Sequence, residues 1–528
     1  MNRRLLVDAL GAGAAAGLVA EALVLRMNPE VVQTVSGVLV GMPLWASWGM
    51  LMVGVPMLIG LAVLERIRPR SDRWAAPELF ALVFAVAAML STVNAKLHTR
   101  LLAPSAHRVL LQDAVAWSVA ILIALIVGAA VRRLGGGRRA RIAFSVMMLI
   151  LPMTRMTWAP TPLGQYLEVA ARPLGEPARR LLVIGLEGLD AKVLLADAAG
   201  SSYRSFSQLR EEGARATMVP HPPFLRWALW TSAATGTYPG RHGVKAHRTW
   251  DLPMVFPETL RLLPWTPEGS RMILPWGLAK QRSPPPASVP PLWARLEASG
   301  VATSVFGWPG SWGDDPALVR VTELEAGTAL EASMDASLEA ALEGFSERRS
   351  EIWAAIVRDQ ARINAARAAL IAGAGDVWIH LETLALARRY HEPLRLRHTR
   401  ERRFLELVME LVDYQLGALL GATDRDTLVA VVSPYGLAPP GAIERIRRLF
   451  GGGENWHTSA ESSPDGLFIL LGRGVEPGRL VAEASSPDVA PTLCYLLGLP
   501  VAQYMEGSVL VDAVDPAFLA EHPLRVVD

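Results

Sequence analysis

The sequence predicts an α/β domain with a mostly parallel sheet flanked by helices, preceded by an all-α transmembrane domain of about five helices. Two observations carry this prediction. The 528-residue chain is 51% hydrophobic with a mean hydropathy of +0.27, and the apolar excess lies in its first third. Beyond that part, short continuous apolar runs alternate with helical patterns, which is typical of helices packed around a buried parallel sheet.

Charge and cysteine content narrow the possible functions. The formal net charge is only +2, so composition gives no support for a nucleic-acid partner. The single cysteine, Cys494, excludes an intramolecular disulfide and a multi-cysteine metal site. The apolar first part makes the lipid bilayer the expected partner.

Five apolar stretches precede residue 159, where a span of the hydrocarbon takes about 20 residues. They are Leu5–Leu25, Val35–Leu64, Leu79–Val93, Val109–Val131 and Ile142–Trp158. Eleven arginines lie before the first stretch and after the second and fourth, whereas the alternate loops hold four Lys or Arg. The positive-inside rule therefore predicts an integral protein of the bacterial inner membrane, with a cytoplasmic N-terminus and an extracytoplasmic (periplasmic) C-terminal domain. Cleavage of the first stretch as a signal sequence remains an alternative, and it leaves the rest of this topology unchanged.

The expected domains are a transmembrane domain at 1–158, a proline-containing linker at 159–179 and a soluble domain at 180–528. Four strands are predicted at Arg180–Leu186, Asp376–Leu381, Thr427–Ser433 and Leu467–Leu471. Helical patterns lie at Tyr203–Glu212, Pro291–Ser299, Ala326–Ile371 and Arg400–Leu420. Ligands of such sheets bind beyond the C-terminal ends of the strands.

Two segments of the soluble domain call for separate interpretations. Residues 253–291 are rich in proline, and their tryptophans would be costly to leave in water, so we predict an ordered insertion over the sheet edge. Residues 326–371 are rich in Ala and Glu and predict a helical cap. A solvated helical pair with no role in binding is the alternative for that segment.

Four ordered motifs occupy the soluble domain. They are VIGLEGLD (Val183–Asp190), WTSAATGTYPGRHGV (Trp230–Val244), PPLWARLEASGVATSVFGWPG (Pro290–Gly310), and PDGLFILLGRGV (Pro464–Val475) with SPDVAPTLCYLLGLPVAQYMEGSVL (Ser486–Leu510). Over Arg180–Asp512 the chain resembles the type I phosphodiesterase/nucleotide pyrophosphatase family of the alkaline phosphatase superfamily. The resemblance implies an alkaline-phosphatase-like fold. In active members it implies hydrolysis of phosphoric esters by a Ser or Thr nucleophile between two divalent metals, usually zinc.

The resemblance also locates the positions that carry this chemistry, and nearly all of them are substituted. The first metal position falls on Glu187, and the nucleophile position, nine residues before Thr235, falls on Arg226. The remaining metal-ligand positions fall on Leu384, Arg388, Pro434, Tyr435 and Ser462. Arginine has no nucleophilic oxygen, and only Glu187 keeps a plausible ligand. We therefore expect no catalytic residue, no bound metal and no cofactor, whereas active relatives use zinc.

Other polar residues near these motifs have mostly structural interpretations. His242 lies in the HG turn, where a structural role is expected, and Asp190 is expected to cap the following helix. Thr231 and Ser232 lie on the helix side, where such residues cap or pack. Three histidines near the degraded motifs leave open an unorthodox metal site or exposed loop positions: His391, His398 and His457.

Arg226 and Arg388 are expected to approach one cleft, with Glu187 as an ion-pair partner. Two versions of this cleft remain open: a guanidinium-lined pocket that holds an anionic head group without cleaving it, or a closed salt-bridge cluster.

These positions predict a membrane-anchored pseudo-phosphodiesterase, a non-catalytic binding, scaffold or regulatory protein of the cell envelope. Its expected partners are an anionic head group or an envelope protein. The alternative is an active metal-dependent phosphodiesterase or phosphotransferase with an unusual site, acting on lipid head groups or envelope polymers. Five spans before an external domain also resemble the architecture of bacterial phosphoethanolamine and glycerophosphate transferases.

Overall fold

The computed structural model divides the chain into two compact units. One contains residues 1–167 and 245–284, and the other contains 168–244 and 285–528. The structure describes residues 3–31, 33–67, 74–102, 104–157, 169–191, 203–220, 225–246, 248–265, 273–275, 277–283, 285–309, 349–390, 399–437 and 465–527.

The first unit is helical. Its helices are α1 (Arg3–Met27), α2 (Val35–Gly49), α3 (Val55–Ile67), α4 (Ala76–Leu97), α5 (Pro104–Arg133) and α6 (Arg138–Thr157). A π-helical turn, Met50–Gly54, joins α2 to α3, so that Val35–Ile67 is one continuous helical stretch.

Four of these helical stretches are long and apolar enough to cross a membrane: Leu5–Met27, Val35–Ile67, Ala76–Leu97 and Pro104–Arg133. The predicted fifth span, Ile142–Trp158, lies largely in α6, which is not among them. Arginines near both ends of α6 lower its apolar content. The first unit therefore has about four apolar helices rather than five.

Glycines allow α1 and α2 to approach closely. A Cβ atom at Gly17 would lie 1.8 Å from the carbonyl oxygen of Trp45, and one at Gly49 would lie 2.2 Å from that of Gly13. No side chain fits at these positions. The two helices therefore pack backbone against backbone, as small residues permit in membrane bundles.

Residues 245–284 belong to the helical unit, where Thr249–Asp251 and Lys280–Arg282 form an antiparallel pair. Asn28 Oδ1 accepts hydrogen bonds from the backbone N–H groups of Arg261 (2.7 Å) and Leu262 (2.9 Å). Asn94 Oδ1 accepts one from Trp265 N (2.8 Å). The described residues of this segment are therefore ordered against the helices of their own unit, and a place over the sheet edge stays a prediction. The buried partners of the segment are Asn28, directly after α1, and Asn94 of α4, which composition does not reveal.

The second unit contains a seven-stranded sheet. Its strands are β1 (Leu181–Leu186), β2 (Ala214–Met218), β3 (Thr303–Phe306), β4 (Asp376–Leu381), β5 (Leu428–Ser433), β6 (Gly466–Leu471) and β7 (Leu480–Ala484). They lie in the order β3-β4-β1-β5-β6-β2-β7, and only β6 runs antiparallel to its neighbours. The predicted α/β class with a mostly parallel sheet is confirmed. A short parallel pair, Val501–Ala502 and Val526–Val527, lies outside this sheet.

Helices flank the sheet on both faces. They are α7 (Arg204–Glu212), α8 (Arg226–Thr235), α9 (Pro239–His242), α10 (Leu292–Ala298), α11 (Arg349–Ile371), α12 (Thr383–Tyr390), α13 (Thr399–Leu420), α14 (Val489–Leu496) and α15 (Pro516–Glu521). Two apolar cores result. One contains α8, α10 and α14, and the other contains α11 and α13.

The described part of the predicted cap is a core helix of the sheet. Ile352, Ile356 and Ile363 of α11 are buried in the same cluster as Ile184 of β1 and Ile379 of β4. The expected cap is wrong for these residues, because an apolar stripe along α11 directs it onto the sheet. Residues 326–348 of the predicted segment lie outside the described residues.

Candidate functional site

The register of the central strands places three polar side chains together. Leu186, the last residue of β1, is paired with Leu381, the last residue of β4, so Glu187 and Glu382 emerge at the same level. On the other side of β1, the loop after β5 rejoins it through a bridge between Gly188 and Gly436. Parallel strands therefore deliver Glu187, Glu382 and the Pro434-Tyr435 turn to one edge, where ligands of such sheets bind.

Glu187 is the centre of this cluster, and its side chain is only 3% exposed. Its Oε2 lies 2.5 Å from a guanidinium nitrogen of Arg226 and 3.2 Å from Nε2 of His380. Its Oε1 accepts a hydrogen bond of 2.5 Å from the phenol of Tyr435. The one carboxylate retained among the described metal-ligand positions is thus surrounded by protein groups.

Arg226 is the first residue of α8, directly after the extended residue Leu225. Its guanidinium also lies 3.6 Å from Glu382. Burial opposes its charge, but the two carboxylates more than compensate, and the pKa of Arg226 is raised above its ordinary value. The nucleophile position therefore carries a permanent, carboxylate-bound cation.

Glu382 extends the network toward α11. It lies 3.1 Å from Arg358 and 3.7 Å from Arg362. Burial raises the pKa of Glu382, but these guanidinium groups and Arg226 outweigh it, and the net shift is downward. The cluster is therefore held by charges of both signs.

Asp359 fixes the backbone that carries Glu382. One of its carboxylate oxygens accepts hydrogen bonds from the N–H of Glu382 (2.8 Å), the N–H of Thr383 (2.8 Å) and the hydroxyl of Thr383 (2.7 Å). Burial raises the pKa of Asp359 to about 6, although Arg362, 3.1 Å away, opposes the shift. The start of α12 is thus tied to α11.

His380 contributes a neutral ring beneath the cluster. It is buried on β4, and its ring meets that of Trp230 edge to face at 4.7 Å. Burial lowers the pKa of His380, although its contact with Glu187 opposes this effect. The sequence interpretation missed His380. The sequence offered one signal for it, because His380 is a titratable residue within a mostly apolar run. It follows Trp378 by two residues and therefore lies on the same face of the strand.

Tyr435 and its turn close the other side of Glu187. Burial and the charge of Glu187 raise the pKa of Tyr435 well above its ordinary value, so the phenol remains a donor. Ser433 holds the turn, because its hydroxyl accepts from Leu189 N–H (3.0 Å) and donates to Tyr435 O (3.2 Å). Pro434 is buried in the same turn and offers no ligand atom from its side chain.

The remaining predicted positions lie elsewhere. Leu384 is buried in the apolar core. Arg388 donates hydrogen bonds to the carbonyl oxygens of Gly188 (2.7 Å) and Leu437 (3.3 Å), so it supports the strand-end loops rather than pairing with Glu187. Four predicted candidates lie outside the described residues: Ser462, His391, His398 and His457.

The polar residues of the HG turn are used internally. His242 is fully buried; its Nδ1 accepts from Val244 N–H (3.1 Å), and its Nε2 lies 3.1 Å from Ser232 Oγ. This arrangement is consistent with a structural role. Thr231 and Ser232 are buried within α8. Asp190 is also buried, but the helix that it was expected to cap falls outside the described residues.

The residues present do not fit the two metals that the family resemblance implies. Leu384 and Pro434 have no ligand atom, Arg388 is a cation, and the carboxylate of Glu187 is bound by a guanidinium group. Within the described ranges, no group of three or more His, Cys, Asp or Glu side chains is placed to hold a metal ion. The arrangement can hold charge in a buried network, but it supplies no hydroxyl nucleophile at Arg226.

Comparison with known families agrees with the fold and the motifs. A sequence model of the type I phosphodiesterase/nucleotide pyrophosphatase family matches residues 181–450, which is just over half of the chain. The chain belongs to this family. The predicted resemblance is therefore confirmed, and the chain has a phosphodiesterase-family domain preceded by an apolar helical region.

Solved structures with similar folds have low sequence identity. Murine ectonucleotide pyrophosphatase/phosphodiesterase 5 is 13% identical, with 61% of this chain and 95% of that chain covered and a TM-score of 0.34. The human protein of that name is 11% identical, with coverages of 64% and 100% and a TM-score of 0.37. A 2-O GAG sulfatase is 14% identical, with coverages of 64% and 74% and a TM-score of 0.41. No curated protein matches the sequence.

Proposed function

We propose that this family member is a membrane-anchored pseudo-phosphodiesterase, which serves the cell envelope by binding, scaffolding or regulation rather than by hydrolysis. The observation that carries the proposal is the pairing of Arg226, at the nucleophile position, with Glu187, at the first metal position. A guanidinium group 2.5 Å from that carboxylate neutralises the negative charge that a metal ion would need. Neither a metal-activated hydroxyl nor a second metal has its residues in the described part of the site.

The contacts favour the closed version of the cluster over an anion-binding pocket. Arg226 already lies beside two carboxylates, Glu187 and Glu382, and Arg388 is bound to backbone carbonyl oxygens. An anion at Arg226 would have to displace a buried carboxylate. We therefore propose that the domain acts through its outer surface rather than through this cluster. The partner class that we propose for that surface is an envelope protein.

The test combines metal content with activity. Full-length protein, purified in detergent without chelator, is analysed for zinc and assayed with bis(4-nitrophenyl) phosphate with and without added zinc. We expect zinc far below one equivalent and no hydrolysis beyond that of a Glu187→Gln preparation. Turnover that is abolished by a chelator and lost in Glu187→Gln would overturn the proposal and favour the active alternative.

We further propose that the N-terminus is cytoplasmic and the phosphodiesterase-family domain extracytoplasmic. Support comes from the C-terminal end of α6. Arg155 Nε donates to Asp113 Oδ1 of α5 (2.7 Å), and Asp113 Oδ2 accepts from Arg26 Nε at the end of α1 (2.8 Å). The chain therefore leaves α6 at the end of the bundle where α1 ends, so we propose that α6 crosses as a fifth, less apolar helix beside the four apolar ones.

The buried single cysteine makes this topology measurable. Cys494 is fully buried, so a cysteine introduced at exposed Arg403 or Arg139 reacts above a low background. In intact spheroplasts we expect a membrane-impermeant maleimide to label Arg403→Cys but not Arg139→Cys, which needs permeabilisation. The reverse pattern would contradict the orientation without bearing on catalysis.

A further inference from the structure

The turn between α5 and α6 concentrates positive charge at one end of the helical unit. Five arginines lie within ten residues there: Arg132, Arg133, Arg138, Arg139 and Arg141. We call the segment from Arg132 to Arg141 the arginine turn. Among the described residues, Glu78 of α4 forms an ion pair with this turn, 2.5 Å from Arg132. The turn therefore keeps a large excess of positive charge.

Two of the five arginines have structural contacts. The guanidinium groups of Arg132 and Arg141 lie 5.7 and 5.5 Å from the ring centre of Trp74, a cation–π geometry. Trp74 is buried and also meets Phe144 of α6 edge to face. These contacts fix the arginine turn to the bundle, so its shape is defined.

The other three arginines point to solvent. Arg133, Arg138 and Arg139 are exposed, and none of them has a carboxylate partner among the residues that the structure describes. Arg138 and Arg139 also stand in the first turn of α6, where the helix dipole disfavours cations. Helix stability therefore does not explain why Arg138 and Arg139 are at these positions, whereas binding of an external anion would explain it.

An exposed leucine lies among these cations. Leu134 is 85% exposed, and Gly135, with φ of 62°, turns the chain directly after it. The next exposed apolar residue, Ile142, begins an exposed apolar side of α6 that continues at Val146 and Ile150. An apolar side chain between guanidinium groups matches the boundary of a bilayer, where acyl chains meet phosphates.

We propose that the arginine turn is a docking surface for anionic phospholipids, with Arg133, Arg138 and Arg139 binding lipid phosphates and Leu134 inserted among the acyl chains. Guanidinium groups bind phosphate through paired N–H donors. The proposal rests on insertion of the helical unit into a bilayer. It is independent of whether the phosphodiesterase-family domain is catalytic.

The test measures lipid binding by the full-length protein in detergent. Native mass spectrometry, with titrated phosphatidylglycerol or phosphatidylcholine, gives apparent dissociation constants for wild type and for Arg133→Gln/Arg138→Gln/Arg139→Gln. We expect wild type to prefer phosphatidylglycerol, and the triple variant to lose roughly fivefold in that affinity per arginine removed. Binding of phosphatidylcholine should stay unchanged.

A matched control removes the same charge from the other unit. Arg403→Gln/Arg425→Gln/Arg479→Gln changes three exposed arginines and should keep the wild-type preference. Equal loss in both triple variants, or no preference for phosphatidylglycerol in wild type, would overturn the proposal. If the first triple variant does not fold, the wild type still decides, because its preference must weaken as salt is raised.

Discussion

Arg226 and Glu187, separated by 39 positions in the sequence, meet at 2.5 Å at the end of β1 in an ion pair whose carboxylate is buried and whose guanidinium is partly buried. Removing one partner of a buried pair leaves the other charge uncompensated, which costs about 3–5 kcal/mol. We expect Arg226→Ala to lower the free energy of unfolding by about that amount, measured by chemical denaturation. Arg403→Ala, which breaks an exposed pair with Glu410, should cost at most about 1 kcal/mol. Equal effects of the two variants would contradict the role of the pair.

A hydroxyl restored at the nucleophile position should not restore catalysis. Arg226→Ser places an alcohol beside Glu187, but Leu384, Pro434 and Arg388 still provide no metal ligands. We expect no zinc-dependent hydrolysis of bis(4-nitrophenyl) phosphate by this variant above the wild-type background. Measurable turnover by Arg226→Ser, lost again in Arg226→Ala, would mean that a metal site forms from other residues.

Acid should weaken the phosphodiesterase-family domain through His380. Burial lowers its folded-state pKa below the ordinary value of about 6.5, so the unfolded chain binds the proton first as pH falls. The contribution of neutral His380 to the free energy of unfolding is therefore fully present above pH 6.5, and it is lost as the pH falls through the folded-state pKa of His380.

The corresponding measurement is thermal unfolding followed by tryptophan fluorescence between pH 7.5 and 5.5. Below pH 6.5 the free energy of unfolding of the wild type should fall by about 1 kcal/mol per pH unit more than that of His380→Gln. His522→Gln, at an exposed position, is the control and should retain the wild-type slope. A His380→Gln slope equal to that of wild type would contradict the assignment.

Close approach of α1 and α2 depends on Gly17. A Cβ at this position meets the backbone oxygen of Trp45 at 1.8 Å, so Gly17→Ala must push the helices apart, at a cost of about 1–3 kcal/mol. Gly60→Ala is the matched control, because a Cβ at Gly60 meets nothing within 4 Å. Thermal unfolding in detergent should show a lower midpoint for Gly17→Ala alone. A Gly17→Ala midpoint equal to that of Gly60→Ala would show that the helices are not in this contact.

Sequence patterns predicted four of the seven strands of the sheet, because each of these four is a continuous apolar run; they did not predict β2, β3 and β7. β1, β4 and β5 agree with their predicted bounds within one residue. The motifs also located Glu187 and Arg226, since both follow elements of recognisable spacing. These inferences are local along the chain, where periodicity and spacing carry the information.

The missed features depend on packing between distant segments. Arg358, Asp359 and Arg362 reach the site because α11 lies against β4, and Ala- and Glu-rich composition did not indicate that placement. Arg388 lies in α12, a helix that the sequence patterns did not predict, and the direction of its side chain toward Gly188 follows from how α12 packs. Tertiary contacts of this kind leave no periodic signal in the sequence.

The described part of residues 245–284 should loosen when Asn28 is changed. Asn28 is fully buried, and its side chain accepts from two backbone N–H groups and donates to the carbonyl of Leu262 (2.7 Å). Asn28→Ala leaves these groups without their partner, at about 1–3 kcal/mol. Hydrogen exchange followed by mass spectrometry should then show faster exchange at Arg261 and Leu262, about tenfold for each 1.4 kcal/mol of lost local stability. Asn364→Ala in α11 is the control and should leave exchange in this segment unchanged. Unaltered protection of Arg261 and Leu262 in Asn28→Ala would mean that other contacts hold the segment on the helices.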